Sequence, residues 1–245
     1  GILHIDRKDF SRAEDIFLEA TVIDPGEAAN WHHLGSIRMI REDYSNAIDQ
    51  YLQATEIDPG YCDSWHDLGI AYGRLGDHLE AVKAYHRSTE CDPHNAETWY
   101  GLGISFANQD RYQEAVNAYN SSLDIDAENP LVWDALGRSL GDDGQLELSE
   151  QAFLKSVKLD PGISRAWFHL GIACDALEDH PGAESAYLES IRLDPLDARV
   201  WNNLGAMRSI QNRFAEAEES FSRAADLDRS DAVNWANLAL IKKRL

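Results

Sequence analysis

Residues 62–95 read CDSWHDLGIAYGRLGDHLEAVKAYHRSTECDPHN. The frame inside them, Trp65, Leu68 and Gly69 followed by Ala81, Tyr85 and Asp92-Pro93, recurs along the chain. Tryptophan stands at Trp31, Trp65, Trp99, Trp133, Trp167, Trp201 and Trp235, always 34 residues from the next. Leucine follows three residues later in all seven copies, from Leu34 to Leu238, and glycine one further on in six, from Gly35 to Gly205, with Ala239 in the last. A small residue comes sixteen after each of the first six tryptophans (Ala47, Ala81, Ala115, Ser149, Ala183, Ala217), and an aromatic four beyond it (Tyr51, Tyr85, Tyr119, Phe153, Tyr187, Phe221). A fixed period of this length means one supersecondary unit stacked on copies of itself.

The unit is readable from its spacing. At 100° per residue, Trp at position 4, Leu at 7, Gly at 8 and the residue at 11 share one face, so the first helix (A) is amphipathic over roughly 14 residues. Small residues at positions 8 and 20 let helix A and the second helix (B) approach closely. Asp-Pro ends helix B in most units, because proline disfavours a helical residue before it. A lone hairpin leaves a face uncovered, so stacking is obligatory. The tryptophan column is therefore a packing feature.

These residues resemble the tetratricopeptide repeat (TPR) family over the whole chain. The resemblance implies an all-α, right-handed superhelical solenoid, with full units at 28–61, 62–95, 96–129, 130–163, 164–197 and 198–231. Residues 1–27 are a partial unit with Ala13, Phe17, Ala20 and Pro25 in register. Residues 232–245 are expected to form a capping helix, since Lys242 at position 11, with Lys243 and Arg244, suits water. Because the chain opens inside a helix, it reads as a piece of a longer array.

The resemblance also implies that A helices line the concave face. Positions 2, 5, 6, 9, 12 and 13 point away from Trp, Leu and Gly, which makes a peptide groove of His32, His33, His66, Asp67, Arg74, Tyr100, Arg138, Arg165, Phe168, His169, Arg199, Asn202, Asn203 and Asn237 the expectation. Its charge is graded: five acids face two bases from 62 to 163, and one acid faces four bases from 164 to 245. Arg138, Arg165 and Arg199 are expected to meet acidic or carboxylate groups, and the asparagines to bond a peptide backbone.

Other classes are set aside. The 43 acidic against 22 basic residues give a net charge of −21, which argues against binding nucleic acid or an anionic membrane. No apolar run reaches the length of a membrane span, and a cytoplasmic location is the expectation. No phosphate loop, nucleophile elbow or zinc pattern occurs, so neither enzyme activity, cofactor nor metal is expected. The calcium-like start Asp124, Asp126, Glu128 fails at Asn129 and Ala135. Cys62, Cys91 and Cys174 are odd in number and widely spaced, and read as small apolar fillers rather than a disulfide framework. Chaperone-tail docking is not expected, because position 5 carries no lysine and position 9 no asparagine. The expected role is a protein–protein interaction scaffold. The alternatives are the substrate-recruiting region of a larger enzyme, such as a glycosyltransferase, and a self-associating scaffold.

Overall fold

The computed structural model describes residues 7–245, with side chains from Ser11 onward. Among these residues there are fourteen α-helices and no strand. The A helices are α2 (Ala28–Ile40), α4 (Cys62–Leu75), α6 (Ala96–Ala107), α8 (Pro130–Asp142), α10 (Ser164–Ala176), α12 (Ala198–Ile210) and α14 (Ala232–Lys242). The B helices are α1 (Arg7–Ile23), α3 (Tyr44–Ile57), α5 (His78–Cys91), α7 (Tyr112–Ile125), α9 (Leu146–Leu159), α11 (His180–Leu193) and α13 (Phe214–Leu227). From α2 onward every A helix starts at the first position of its 34-residue unit and every B helix at the seventeenth. The described residues divide into two compact units, those up to Ala127 and Glu128–Leu245.

Within each compact unit a hairpin packs its A helix on its own B helix and on the B helix before it. In the first unit Ala47, Tyr51, Leu68, Ala71 and Ala84 form a buried cluster with Trp65 and Tyr72 against it. In the second, Phe153, Phe168, Leu170, Tyr187, Leu204 and Met207 do the same, with Trp167 and Trp201 alongside. The glycine at position 8 is required by the aromatic at position 24: a Cβ on Gly69 would lie 2.7 Å from the Tyr85 ring, and one on Gly205 2.8 Å from Phe221. Position 15 turns A into B in a left-handed conformation. Gly76 and Gly144 (φ 81°) adopt it freely, whereas Glu42, Asp110, Glu178 and Asn212 adopt it with side chains.

Two regular bonds were not anticipated from the sequence. The tryptophan indole N–H groups donate to the carbonyl three residues before their unit begins, as in Trp99 to Pro93 at 2.9 Å and Trp235 to Arg229 at 3.1 Å. The tryptophans are thus half-buried ties between turn and helix, and Trp235 is exposed. Buried serines at position 27 of helix B donate to the first carbonyl of helix A: Ser88 to Cys62, Ser122 to Ala96, Ser156 to Pro130 and Ser190 to Ser164.

The cysteine reading is corrected. Cys62 and Cys91 are disulfide-bonded, with Cα atoms 5.5 Å apart. Although 29 apart in sequence, they are the first and last helical residues of one hairpin, and they meet because its helices are antiparallel. Wide spacing in sequence is adjacency here. Cys174 is free and 4% exposed, as a core filler should be. However, its burial and the carboxylate of Glu150, 3.6 Å away, push its thiol up to about 12.

Candidate functional site

Each A helix presents positions 2, 9 and 13 outward, but positions 5 and 6 do not behave as the helical wheel suggests. The wheel orients a side chain relative to its own hairpin, whereas position 5 points sideways at the next A helix and position 6 at the one before. His32 and Phe168 are therefore buried (9% and 7% exposed) and not groove surface. Asp134, also at position 5, is 1% exposed.

In the first unit, His32 Nδ1 lies 3.1 Å from Ser64 Oγ and its Nε2 3.9 Å from Asp67. Its ring also packs on Tyr51 and Tyr61. His66 repeats the contact one unit later, 2.8 Å from Thr98 Oγ1. Burial holds the His32 imidazole below its ordinary range, against the pull of Asp67. Burial likewise raises the Asp67 carboxyl, only partly offset by His32 and His66. Both shifts favour the neutral forms, which is what desolvation does to a pair whose geometry is too long for a tight ion pair. His33 is exposed beside Phe17, Arg74 is exposed, and Tyr100 is half-buried near Tyr119.

In the second unit, Asp134 accepts from His169 Nδ1 at 2.7 Å, a carboxylate leaving the imidazole as donor, and pairs with Arg165 at 3.3 Å. Arg199 chelates Asp197 through Nε at 3.0 Å and Nη2 at 2.6 Å, and lies over the Phe168 ring at 5.2 Å. The guanidinium of Arg199 holds the Asp197 carboxyl below its usual range. Asn237 donates to Asn202 Oδ1 at 2.9 Å, and Asn203 is half-buried. Two of the three arginines expected to meet a partner's acids therefore already carry an acid of their own. Arg138 is exposed, and no ion pair to it is found among the described residues.

A pocket of about 450 Å³ opens in the second unit between α8 and α10. Phe153, Leu146, Ile172, Ala173 and Ala176 supply its apolar lining, Gly137 and Gly141 leave it room, and Arg138, Asp142, Ser149 and His169 add polar groups. The sequence reading found Arg138 and His169 here but missed the cavity. It also missed Asp134 and Asp197 as the internal partners of Arg165 and Arg199. The signal was present as paired columns: position 5 of one unit against position 6 of the next gives His32 with Asp67, Asp134 with His169, and Asn202 with Asn237, each complementary.

The sequence matches the family model of the cilia and flagella-associated protein 70 C-terminal domain over residues 1–162, and a tetratricopeptide repeat model over 135–198 and 176–232. No curated protein matches it. Among solved structures, it is similar to the C-terminal part of a TPR repeat-containing protein from Cytophaga hutchinsonii (14% identity, 94% of this chain and 95% of that one, TM-score 0.75). It is also similar to YrrB, described as a TPR protein with an unusual peptide-binding site (22% identity, 80% and 98% covered, TM-score 0.66). A third likeness is to a structure of the APC/C hetero-tetramer Cut9-Hcn1 (16% identity, 95% of this chain, TM-score 0.69), where this chain spans 46% of the length of the one it matches. At these identities the likeness is one of fold: a helical repeat solenoid. No described helix is long and apolar enough to cross a membrane.

Proposed function

Because the chain belongs to the tetratricopeptide repeat family of the cilia and flagella-associated protein 70 C-terminal domain, we propose that it is a non-enzymatic scaffold whose A helices receive a peptide segment of a partner protein. The pocket between α8 and α10 carries this reading. An apolar side chain of leucine or methionine size enters against Phe153 and Ile172, and the exposed Arg138 and Asp142 bond the flanking peptide. Small residues at Gly137, Gly141, Ala173 and Ala176 leave the floor open where larger ones would close it. Arg138 replaces Arg165 and Arg199 as the main cation offered to the ligand. The other two retain free N–H groups but little net charge, since Asp134 and Asp197 neutralise them. In the first unit, His33, Arg74 and Tyr100 are the groups that its own A helices offer to a partner. The net charge of −21 directs the preference away from nucleic acid.

The test is a peptide-display selection against the purified chain, followed by titration of the selected peptides on Ile172→Asp and Arg138→Glu. Placing a carboxylate in the apolar pocket is expected to weaken binding by more than about tenfold, near 1.4 kcal/mol. Selected peptides that bind both variants with unchanged affinity refute the reading.

A further inference from the structure

Where position 21 of helix B is a glutamate, it faces position 11 of the next A helix, 24 residues later. Glu14 faces Arg38 (3.7 Å), Glu184 faces Arg208 (3.0 Å) and Glu218 faces Lys242 (3.7 Å). Glu184 receives a second guanidinium from position 16, Arg213 at 2.6 Å. At Glu150 the same places are taken by Cys174 and Asp179, so where its counterpart meets two cations this glutamate meets a thiol and another carboxylate. Among the described residues it is the one position-21 glutamate that faces no cationic side chain.

The ligand atoms of Glu150, Cys174 and Asp179 all lie within 4.8 Å of one another, with Cys174 Sγ 3.6 Å from Glu150 Oε1. Bond lengths of about 2.3 Å to sulfur and 2.1 Å to oxygen, at a tetrahedral angle, place sulfur and oxygen about 3.6 Å apart. The depths suit a site with one open side: the thiol is buried, Glu150 half-buried and Asp179 exposed. The backbone also holds the ligands in place, as the Asp179 carboxylate caps α11 through Gly182 N–H at 3.2 Å.

We infer that Glu150, Cys174 and Asp179 bind a divalent metal ion of the zinc class, which supplies the positive charge that Arg208 and Arg213 supply one unit later. A thiolate with two carboxylates suits Zn²⁺ over the hard Mg²⁺ and Ca²⁺, which take oxygen ligands. The thiol proton passes to solvent as the sulfur–metal bond forms, and water completes the coordination from the exposed side.

The test titrates Co²⁺ and then Zn²⁺ into the whole disulfide-bonded chain, following thiolate-to-metal charge-transfer absorption and the melting temperature. The wild type is expected to show the band with Co²⁺, to lose it to Zn²⁺, and to melt higher with Zn²⁺. Glu150→Gln and Asp179→Asn, which keep size and helix capping, are each expected to weaken Co²⁺ by more than about tenfold. Cys174→Arg recreates the Glu184–Arg208 pair and is expected to stay folded with no Zn²⁺ response. Absence of the band in the wild type overturns the site. So does a band of unchanged affinity in both carboxylate variants, or an equal Zn²⁺ response in Cys174→Arg.

Discussion

Reducing the Cys62–Cys91 bond tests how much the hairpin at 62–91 depends on its covalent closure. The bond joins the first residue of α4 to the last of α5, a separation of 29 residues. Opening a loop of this length returns chain entropy to the unfolded state worth about 3.5 kcal/mol at 25 °C. For a chain of this size each kcal/mol moves the melting temperature by about 2–4 °C, so a drop of about 7–14 °C is expected. The packing of Leu68, Gly69 and Tyr85 that holds α4 on α5 is untouched by reduction, so the helical content should survive. The assay is a thiol titration of the unfolded chain with and without prior reduction, beside thermal unfolding in both states. Protein made under oxidising conditions should show one thiol, Cys174, before reduction and three after. Three thiols from the start, or melting curves that coincide, would refute the closure and its predicted contribution.

Gly69→Ala forces a methyl group to within 2.7 Å of the Tyr85 ring and is expected to cost about 1–3 kcal/mol in denaturant unfolding. Ser122→Ala removes a buried hydroxyl from the Ala96 carbonyl and should cost about 1 kcal/mol by the same measurement. The first compact unit should lose stability as pH falls below about 6.5, because the folded state lowers the His32 pKa and its contribution, complete above the unfolded value, fades on acidification. The raised Asp67 acts in the opposite sense, its contribution being present below the ordinary carboxyl value and lost as pH rises through the raised one. A pH series of melting curves on His32→Asn should flatten the histidine component. Asp134→Ala leaves His169 and Arg165 without their carboxylate and is expected to cost about 2–4 kcal/mol, whereas Asp63→Ala, exposed at position 2, should change little.

What could be read from the sequence was whatever repeats. Leu68, Gly69, Ala81 and Tyr85 pack within one hairpin, so each copy reports the same contact and the columns make it visible. Helix starts at Ala28, Cys62 and Ala96 follow directly from that register. Contacts between successive hairpins were less legible. His32, Asp134 and Phe168 were assigned outward because a helical wheel knows only its own hairpin, and the neighbouring A helix covers them. The arginines misled for a related reason: a count of charges by position does not show that Asp134 lies under Arg165 or that Asp197 chelates Arg199. The pocket at Ile172 arises from small residues on two helices, and a cavity leaves no signal in either helix alone.

The most direct measurement is hydrogen exchange on the chain bound to a selected peptide, read beside side-chain shifts at Ile172 and Phe153. Slowed exchange and shifted signals along α8 and α10, with α9 and α11 unchanged on their outer faces, are the predicted result. Protection confined to the B helices, with Ile172 and Phe153 unmoved, contradicts the assignment of recognition to the A-helix surface.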